Sequence, residues 1–193
     1  RFGFTPAVRL ERLAILGATR RDNDLAQILH EKVIVPNLQS LVERFFDRLL
    51  SFPEAHYVFE RGYSVKGLKQ IQQHYLLGFG INIDSESYFE QRLRVGFEHA
   101  RVRVRPSLYH YALHLLGQLL LDYLPADIAA RDELIRFILR ISALDASLAL
   151  EAYENVILAR FKHSVDTLTE EKSSVREKME KDSLTGLLSR KRI

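Results

Sequence analysis

The segment SESYFEQRLRVGFEHARVRVRPSLY, residues 85–109, decides the fold of this chain. Asp84 and Ser85 form a helix-start signal, because a serine or aspartate side chain can accept a hydrogen bond from the first turn of a helix. Pro106 ends the helical run, since proline disfavours helical backbone at the residue before it. The segment therefore predicts a short helix that carries His99 in its last turns.

His99 lies on a mostly uncharged face of this predicted helix, with Val95, Gly96 and Val102 three or four positions away. A neutral imidazole there can donate a lone pair to a metal while its other nitrogen bonds a backbone carbonyl. Gly96, one turn earlier, would let a flat group lie close to the backbone. From spacing alone, a core histidine with a hydrogen-bonded partner is the favoured interpretation.

A family resemblance changes that interpretation. Residues 88–109, together with the upstream run LKQIQ at 68–72, resemble the haem-pocket half of globin-coupled sensors. In that family a histidine at the end of the F helix is the proximal haem ligand, and His99 falls at that position. Pro106 falls on the proline that opens the next helix, and Tyr109 on the proximal-side tyrosine. The resemblance covers residues 22–165 and implies a globin-like fold, haem b as cofactor and a diatomic gas as ligand.

The resemblance also assigns the distal side of the haem. Leu68 and Ile71 match the two residues that face the bound gas, and Phe46 stands where the family commonly has tyrosine. Tyrosine donates a hydrogen bond to bound O2, and its loss, at about 1–3 kcal/mol, should raise O2 dissociation tenfold or more. We therefore expect an apolar pocket with weak O2 and better CO binding, unless Tyr75, or His74 with a helix shift, supplies a hydrogen-bond donor or a sixth ligand to the iron. Ordinary core packing is the alternative role for Phe46.

Other polar residues near His99 carry weaker signals. Four arginines lie close to it in sequence: Arg92, Arg101, Arg103 and Arg105. We expect one or two of these to neutralise haem propionates and interpret most of them as solvated, without naming which. His110 and His114 are four residues apart, which suits a metal, but no third ligand accompanies them, and we interpret them as surface residues. Tyr109 is alternatively a buried aromatic residue with a satisfied hydroxyl.

Apolar residues recur every three or four positions along most of the chain, which predicts helices. The predicted starts are Pro6, Asp22, Val65, Glu86 and Pro106, followed by one very long helix from Ala126. Pro36 predicts a kink or a new start within the second of these. No strand-like alternation persists. The chain therefore reads as all-α, with a globin-like order of helices and a long C-terminal helix that leads into a coiled-coil connector.

The organisation predicted from the sequence has four parts. Residues 1–21 form an N-terminal helical extension, 22–165 the sensor globin, 166–181 a helical linker, and 182–193 the beginning of another domain. The run DSLTGLLSRKR at 182–192 resembles the D-x-L-T-G-L-x-N-R opening of GGDEF domains, the diguanylate cyclases, with Ser189 replacing the usual asparagine. A helix end that happens to contain Thr-Gly-Leu is the alternative. That family's catalytic motif would lie downstream, so we expect no cyclase activity in this fragment.

Composition excludes several other classes of protein. The chain has 193 residues, 47% hydrophobic and 27% charged, which is ordinary for a globular domain. A formal charge of +3, without a basic stripe interleaved with aromatics, argues against nucleic-acid binding. Without an 18-residue apolar run, no membrane span is expected. The absence of cysteine excludes a thiolate haem ligand and disulfides, and we expect a cytoplasmic protein.

The leading functional hypothesis is a haem-binding gas sensor that regulates a C-terminal diguanylate cyclase, the enzyme that makes cyclic di-GMP from two GTP. We expect a homodimer through the last two long helices, residues 106–124 and 126–163. The alternative is a haem-free sensor globin that serves as a dimerisation or protein-interaction module. A plain helical dimerisation segment is a third possibility.

Overall fold

The computed structural model describes residues 4–59 and 64–180, with side chains at 4–56 and 64–176. These residues form eight α-helices and one π-helical turn, with no strand among them, so the all-α prediction is confirmed. The helices are α1 (Pro6–Ile15), α2 (Asp22–Leu29), α3 (Val35–Leu50), α4 (Pro53–Phe59), α5 (Val65–Leu77), α6 (Glu86–Arg101), α7 (Pro106–Asp122) and α8 (Arg131–Glu180). The GGDEF-like run at 182–193 lies outside the described residues.

Three helices begin at side-chain caps, among them the start that the sequence predicts at Ser85. Thr5, Ser64 and Ser85 each accept a hydrogen bond from the backbone N–H three residues later. Such a bond satisfies one of the donors that a helix start leaves without an internal partner. The expected new start at Pro36 takes the form of a π-helical turn, His30–Ile34, after which α3 begins at Val35.

The last helix starts later than predicted. We expected it from Ala126, but residues 126–130 form turns and α8 begins at Arg131. Ala130 has a φ of 58°, in the left-handed region, which a continuous right-handed helix does not allow. Asp132 and Glu133 then provide the negative charge that favours a helix N-terminus.

The chain divides after Tyr153 into two compact units, of which the first, Arg1–Tyr153, contains the hydrophobic core. The largest fully buried side chains there include Phe79, Phe89 and Phe137. The second unit, Glu154–Ile193, is described up to residue 180 as the continuation of α8. No helix among the described residues is long and apolar enough to cross a membrane.

A buried polar cluster joins three helices of the first unit. Asp145 on α8 accepts hydrogen bonds from the hydroxyls of Tyr75 on α5 and Tyr88 on α6. The Arg92 Nε lies 3.2 Å from Asp145 Oδ2, and the Arg92 guanidinium also donates to the Gly78 carbonyl at 2.8 Å. Burial raises the pKa of both tyrosines, so their hydroxyls stay protonated and can donate.

Gly96 lies where α6 meets α8. A Cβ placed on Gly96 would be 2.7 Å from Ala149 Cα and 2.8 Å from Ala152 Cβ, too close for any side chain. The expectation that Gly96 makes room for a flat group is therefore wrong. The glycine instead allows the backbones of two helices to approach closely, because only hydrogen occupies that space.

We predict that Gly96→Ala lowers the free energy of unfolding by about 1–3 kcal/mol or more, because the new methyl group would collide with the backbone of Ala149. Unfolding by urea measures the change. Gly117→Ala is the matched control: it is also inside a helix, but its Cβ would meet nothing closer than Ser142 Oγ at 3.5 Å. This control should be neutral or more stable by up to about 1 kcal/mol. Equal stabilities for both variants would contradict the close-approach role of Gly96.

Candidate functional site

All five residues predicted for the site lie around one cavity. Phe46, Leu68, Ile71, His99 and Tyr109 line a space of about 660 Å³, measured out to its open mouth. Cofactor sites are commonly concave and lined mainly by apolar side chains. The remaining lining side chains are Phe45, Leu49, Ala55, Gln72, Val104, Leu108 and Ala112. Helices α3, α4, α5, α6 and α7 and the α6–α7 loop all contribute to the wall.

A smaller cavity of about 350 Å³ shares part of this wall. The shared residues are Phe45, Gln72, His99, Tyr109 and Ala112. Tyr75, Val95, Leu113 and Leu116 complete its lining. His99 is thus a wall residue of both spaces.

The ring of His99 is fixed by its own helix. Its Nδ1 lies 2.8 Å from the Val95 carbonyl, one turn earlier, which makes Nδ1 the protonated nitrogen and leaves the lone pair on Nε2. Burial lowers the pKa of His99 below its ordinary value of 6.5, against the smaller opposing effects of the Val95 carbonyl and Glu98. The imidazole is therefore neutral at pH 7, with one nitrogen available to a metal.

Tyr109 packs against the histidine ring. The two ring centroids are 4.9 Å apart at 69°, an edge-to-face contact. Tyr109 in turn lies 6.1 Å from the ring of Tyr153 on α8. Burial raises the pKa of the Tyr109 hydroxyl, so this group stays neutral beside the histidine.

The three predicted distal residues differ in their exposure. Phe46 is 4% exposed and meets Phe45 edge-on, with ring centroids 5.4 Å apart. Leu68 is partly buried against the core, whereas Ile71 is 66% exposed. Phe46 therefore forms the inner part of the wall, and Ile71 lies at its solvent-exposed edge.

Comparison with known proteins identifies the family. The Protoglobin family model matches residues 10–157. The chain belongs to the Protoglobin family. It is 29% identical over 186 residues to the "Heme-based aerotactic transducer HemAT" of Halobacterium salinarum, a match that covers 88% of this chain and 37% of that protein. The chain thus spans about a third of the length of this relative.

The fold agrees with that of a solved member of the sensor group. The globin domain of a Geobacter sulfurreducens globin-coupled sensor matches with a TM-score of 0.64 over 75% of this chain and 96% of that domain. The sequence identity is 20%, so this likeness concerns the fold alone. The prediction of a globin-like fold with a long C-terminal helix is confirmed.

The residues of this Protoglobin domain fit a haem in two respects. The larger cavity is lined mainly by apolar side chains, which suits a flat, mostly apolar macrocycle. His99 offers a single neutral nitrogen from inside that wall, and an axial imidazole is the usual iron ligand of globins. Among the described residues no cluster of three metal-ligating side chains offers a competing site, and His110 and His114 are exposed.

Two expectations about polar partners of the haem need correction. Arg92 does not line either cavity, because its guanidinium is buried against Asp145, so its expected propionate role is wrong. Of the two expected distal donors, His74 is exposed and lines neither cavity. Tyr75 reaches the smaller cavity, but its hydroxyl donates to Asp145.

Sequence reasoning missed Gln72, which lines both cavities. The signal was present: Gln72 is four residues after Leu68 on α5 and therefore on the same helical face. The same signal was present for Ala112, which was also missed: it lies three residues after Tyr109 on α7 and therefore on the same helical face.

We predict that Tyr75→Phe lowers the free energy of unfolding by about 1–3 kcal/mol, because Asp145 then loses one hydrogen bond while remaining buried. Urea unfolding followed by circular dichroism measures this loss. Tyr111→Phe, at a residue that is 65% exposed, should change stability very little. A Tyr75→Phe protein as stable as the wild type would show that this hydroxyl does not support Asp145.

Proposed function

We propose that this domain binds haem b through His99 Nε2 and senses a diatomic gas, O2, CO or NO, at the ferrous iron. The observation that carries the proposal is the neutral His99 ring, held at Nδ1 by the Val95 carbonyl and facing a largely apolar cavity. Membership of the Protoglobin family and the haem-based relative support it.

If haem is bound, it would supply an iron that coordinates the gas, while the chain's own residues would hold the ligand histidine and form the wall around it. The Val95 carbonyl fixes the tautomer and direction of the His99 ring, and Tyr109 restrains that ring from its edge. Phe46, Leu68 and their apolar neighbours would present apolar surface to the haem and limit the access of water to its iron.

We predict that His99→Ala abolishes the Soret band of the purified protein, because no other wall residue offers an imidazole to the iron. Absorbance measures haem content per chain, and added imidazole should restore part of the band if the cavity itself is intact. The control is His114→Ala, at an exposed histidine, which should keep full haem. A wild-type chain that folds without taking up haem would favour the haem-free interaction module instead.

The contacts of α6 suggest how occupancy of the site reaches the rest of the protein. The helix that carries His99 is joined to α8 at Gly96, against Ala149, and through the Arg92–Asp145 ion pair. A displacement of His99 and α6 would therefore change the contacts that α6 makes with α8. Coupling of this kind requires two packings that the ligand distinguishes energetically.

We propose that α8 carries this signal to an output domain in a longer protein. The GGDEF-like run at 182–193 supports a diguanylate cyclase, whose two copies must meet to join two GTP molecules. In HemAT the matched region is 37% of the protein, so that sensor also has a large further part. A cytoplasmic location fits an output of this kind.

We further propose a homodimer through α7 and α8 that continues as a parallel coiled coil. Leu139 and Leu150 are exposed and eleven residues apart, three helical turns, so they share one side of α8. In the second unit, exposed apolar residues recur at heptad spacing: Leu158, Phe161, Val165, Leu168 and Val175. Lys172 occupies the remaining a position, and Glu171 at g complements Arg176 at e of a partner helix, as in two-stranded coiled coils.

We predict that Phe161→Glu, at a d position that is 69% exposed in the single chain, weakens dimerisation at least tenfold, because two carboxylates would be buried in the seam. Analytical ultracentrifugation measures the dimer dissociation constant. Ala159→Glu adds the same charge on the outer b position and should leave it unchanged. If Phe161→Glu dimerises as the wild type does, the seam does not hold the two chains together.

A further inference from the structure

Four polar side chains line the two cavities of the site: Gln72, Tyr75, His99 and Tyr109. Three of them already have a role in the structure. The two nitrogens of His99 are assigned to the Val95 carbonyl and to the metal position, and Tyr109 packs on the histidine ring. The Tyr75 hydroxyl donates to Asp145. The Tyr109 hydroxyl and the Gln72 amide are the wall donors for which no hydrogen-bond partner is assigned among the described residues, and Gln72 is the one of the two that lies on α5 beside Leu68.

Gln72 is free to act in the cavity. Its side chain is partly buried, and it has no hydrogen-bond partner among the described residues, whereas its neighbour Gln73 donates to Gln39 at 3.2 Å. On α5, Gln72 shares one face with Leu68 and Tyr75, four residues before and three after it. This face provides wall residues to both spaces, and Gln72 belongs to each of them.

A glutamine amide is chemically suited to a gas bound at iron. It presents two N–H donors, and in an apolar wall these donors have little competition from water. Bound O2 carries partial negative charge and gains more from a donor than bound CO, which is nearly neutral. A single donor on this wall would therefore discriminate between the two gases.

We propose that the Gln72 amide donates the distal hydrogen bond to the haem-bound gas and sets the preference of this site for O2 over CO. The inference rests on the proposed haem function and replaces the expectation of a wholly apolar distal side. Phe46 removes a donor from α3, and Gln72 supplies one from α5, one helix away in the same wall.

The test uses the ferrous, haem-loaded protein and measures O2 dissociation by stopped-flow mixing. Gln72→Leu should raise the O2 dissociation rate at least about tenfold, the effect of losing one hydrogen bond to a charged acceptor. CO dissociation should change less, and the C–O stretching frequency of the CO complex should rise as the donor is lost. Gln72→Met, which keeps the length of the side chain, should reproduce these changes if Gln72→Leu folds poorly.

Two matched variants separate this donor from its neighbours. Gln73→Leu removes the same amide from the adjacent residue, which lines neither cavity, and should leave both rates unchanged. Tyr75→Phe keeps the ring in the wall but loses the hydrogen bond to Asp145, so its effect on O2 dissociation should be smaller than that of Gln72→Leu. A Gln72→Leu protein with unchanged O2 dissociation, or a tenfold effect of Tyr75→Phe instead, overturns the inference.

The haem itself is checked first by the Soret band of the wild type. If that band is absent, the proposed function fails and this inference fails with it. If the band is normal and the Gln72 variants dissociate O2 at the wild-type rate, the haem function stands and only the role of Gln72 is overturned. In that case, a Phe46→Tyr protein that dissociates O2 more slowly than the wild type would support the apolar pocket.

Discussion

The buried ion pair between Arg92 and Asp145 is the interaction on which the rest of the site depends. Removing two charges from water is costly unless each charge finds a full set of partners. Here Tyr75 and Tyr88 donate to Asp145, and the Arg92 guanidinium donates to the Gly78 carbonyl and lies over both tyrosine rings at 4.0 and 4.6 Å, although Arg92 Nε makes an ion pair with Asp145 without a hydrogen bond. Because these partners come from α5, α6 and α8 and the segment after α5, the pair can be satisfied only when all three helices are in register. Helix α6 carries both Arg92 and His99, so the packing that brings Arg92 to Asp145 also places His99 at the cavity.

Helix α6, which carries His99, is positioned by two further constraints, one between helices and one within the helix. Gly96 brings the backbone of α6 against Ala149 of α8, so α6 cannot move away or rotate without opening a gap. Within α6, the Val95 carbonyl holds His99 Nδ1, so the ring cannot turn independently of the helix. The direction of Nε2 is therefore set by helix packing first and by a local hydrogen bond second, and the sequence segment 85–109 contains only the local part.

This difference in range explains what could be predicted from the sequence. The caps at Ser64 and Ser85 and the His99–Val95 bond involve residues within four positions, where helix geometry alone decides the contact. The residues of the cavity came from a family resemblance, which carries long-range information that spacing lacks. Arg92 was misassigned because its partner Asp145 lies on another helix, and charge in the sequence does not reveal burial. The late start of α8 depends on the left-handed backbone at Ala130, a residue type with no preference for it.

Tyr75 belongs both to the wall of the smaller cavity and to the polar cluster around the Arg92–Asp145 ion pair. Its ring is part of the wall of the smaller cavity, while its hydroxyl is one of the groups that satisfy Asp145 on α8. A change in the cavity that shifts this ring must therefore alter a hydrogen bond to a buried carboxylate, where the energetic effect is larger than at the surface. The reverse also holds, because coupling between two sites is reciprocal: a shift of α8 that moves Asp145 changes the wall beside His99. Tyr75 therefore links the cavity wall beside His99 directly to Asp145 on α8.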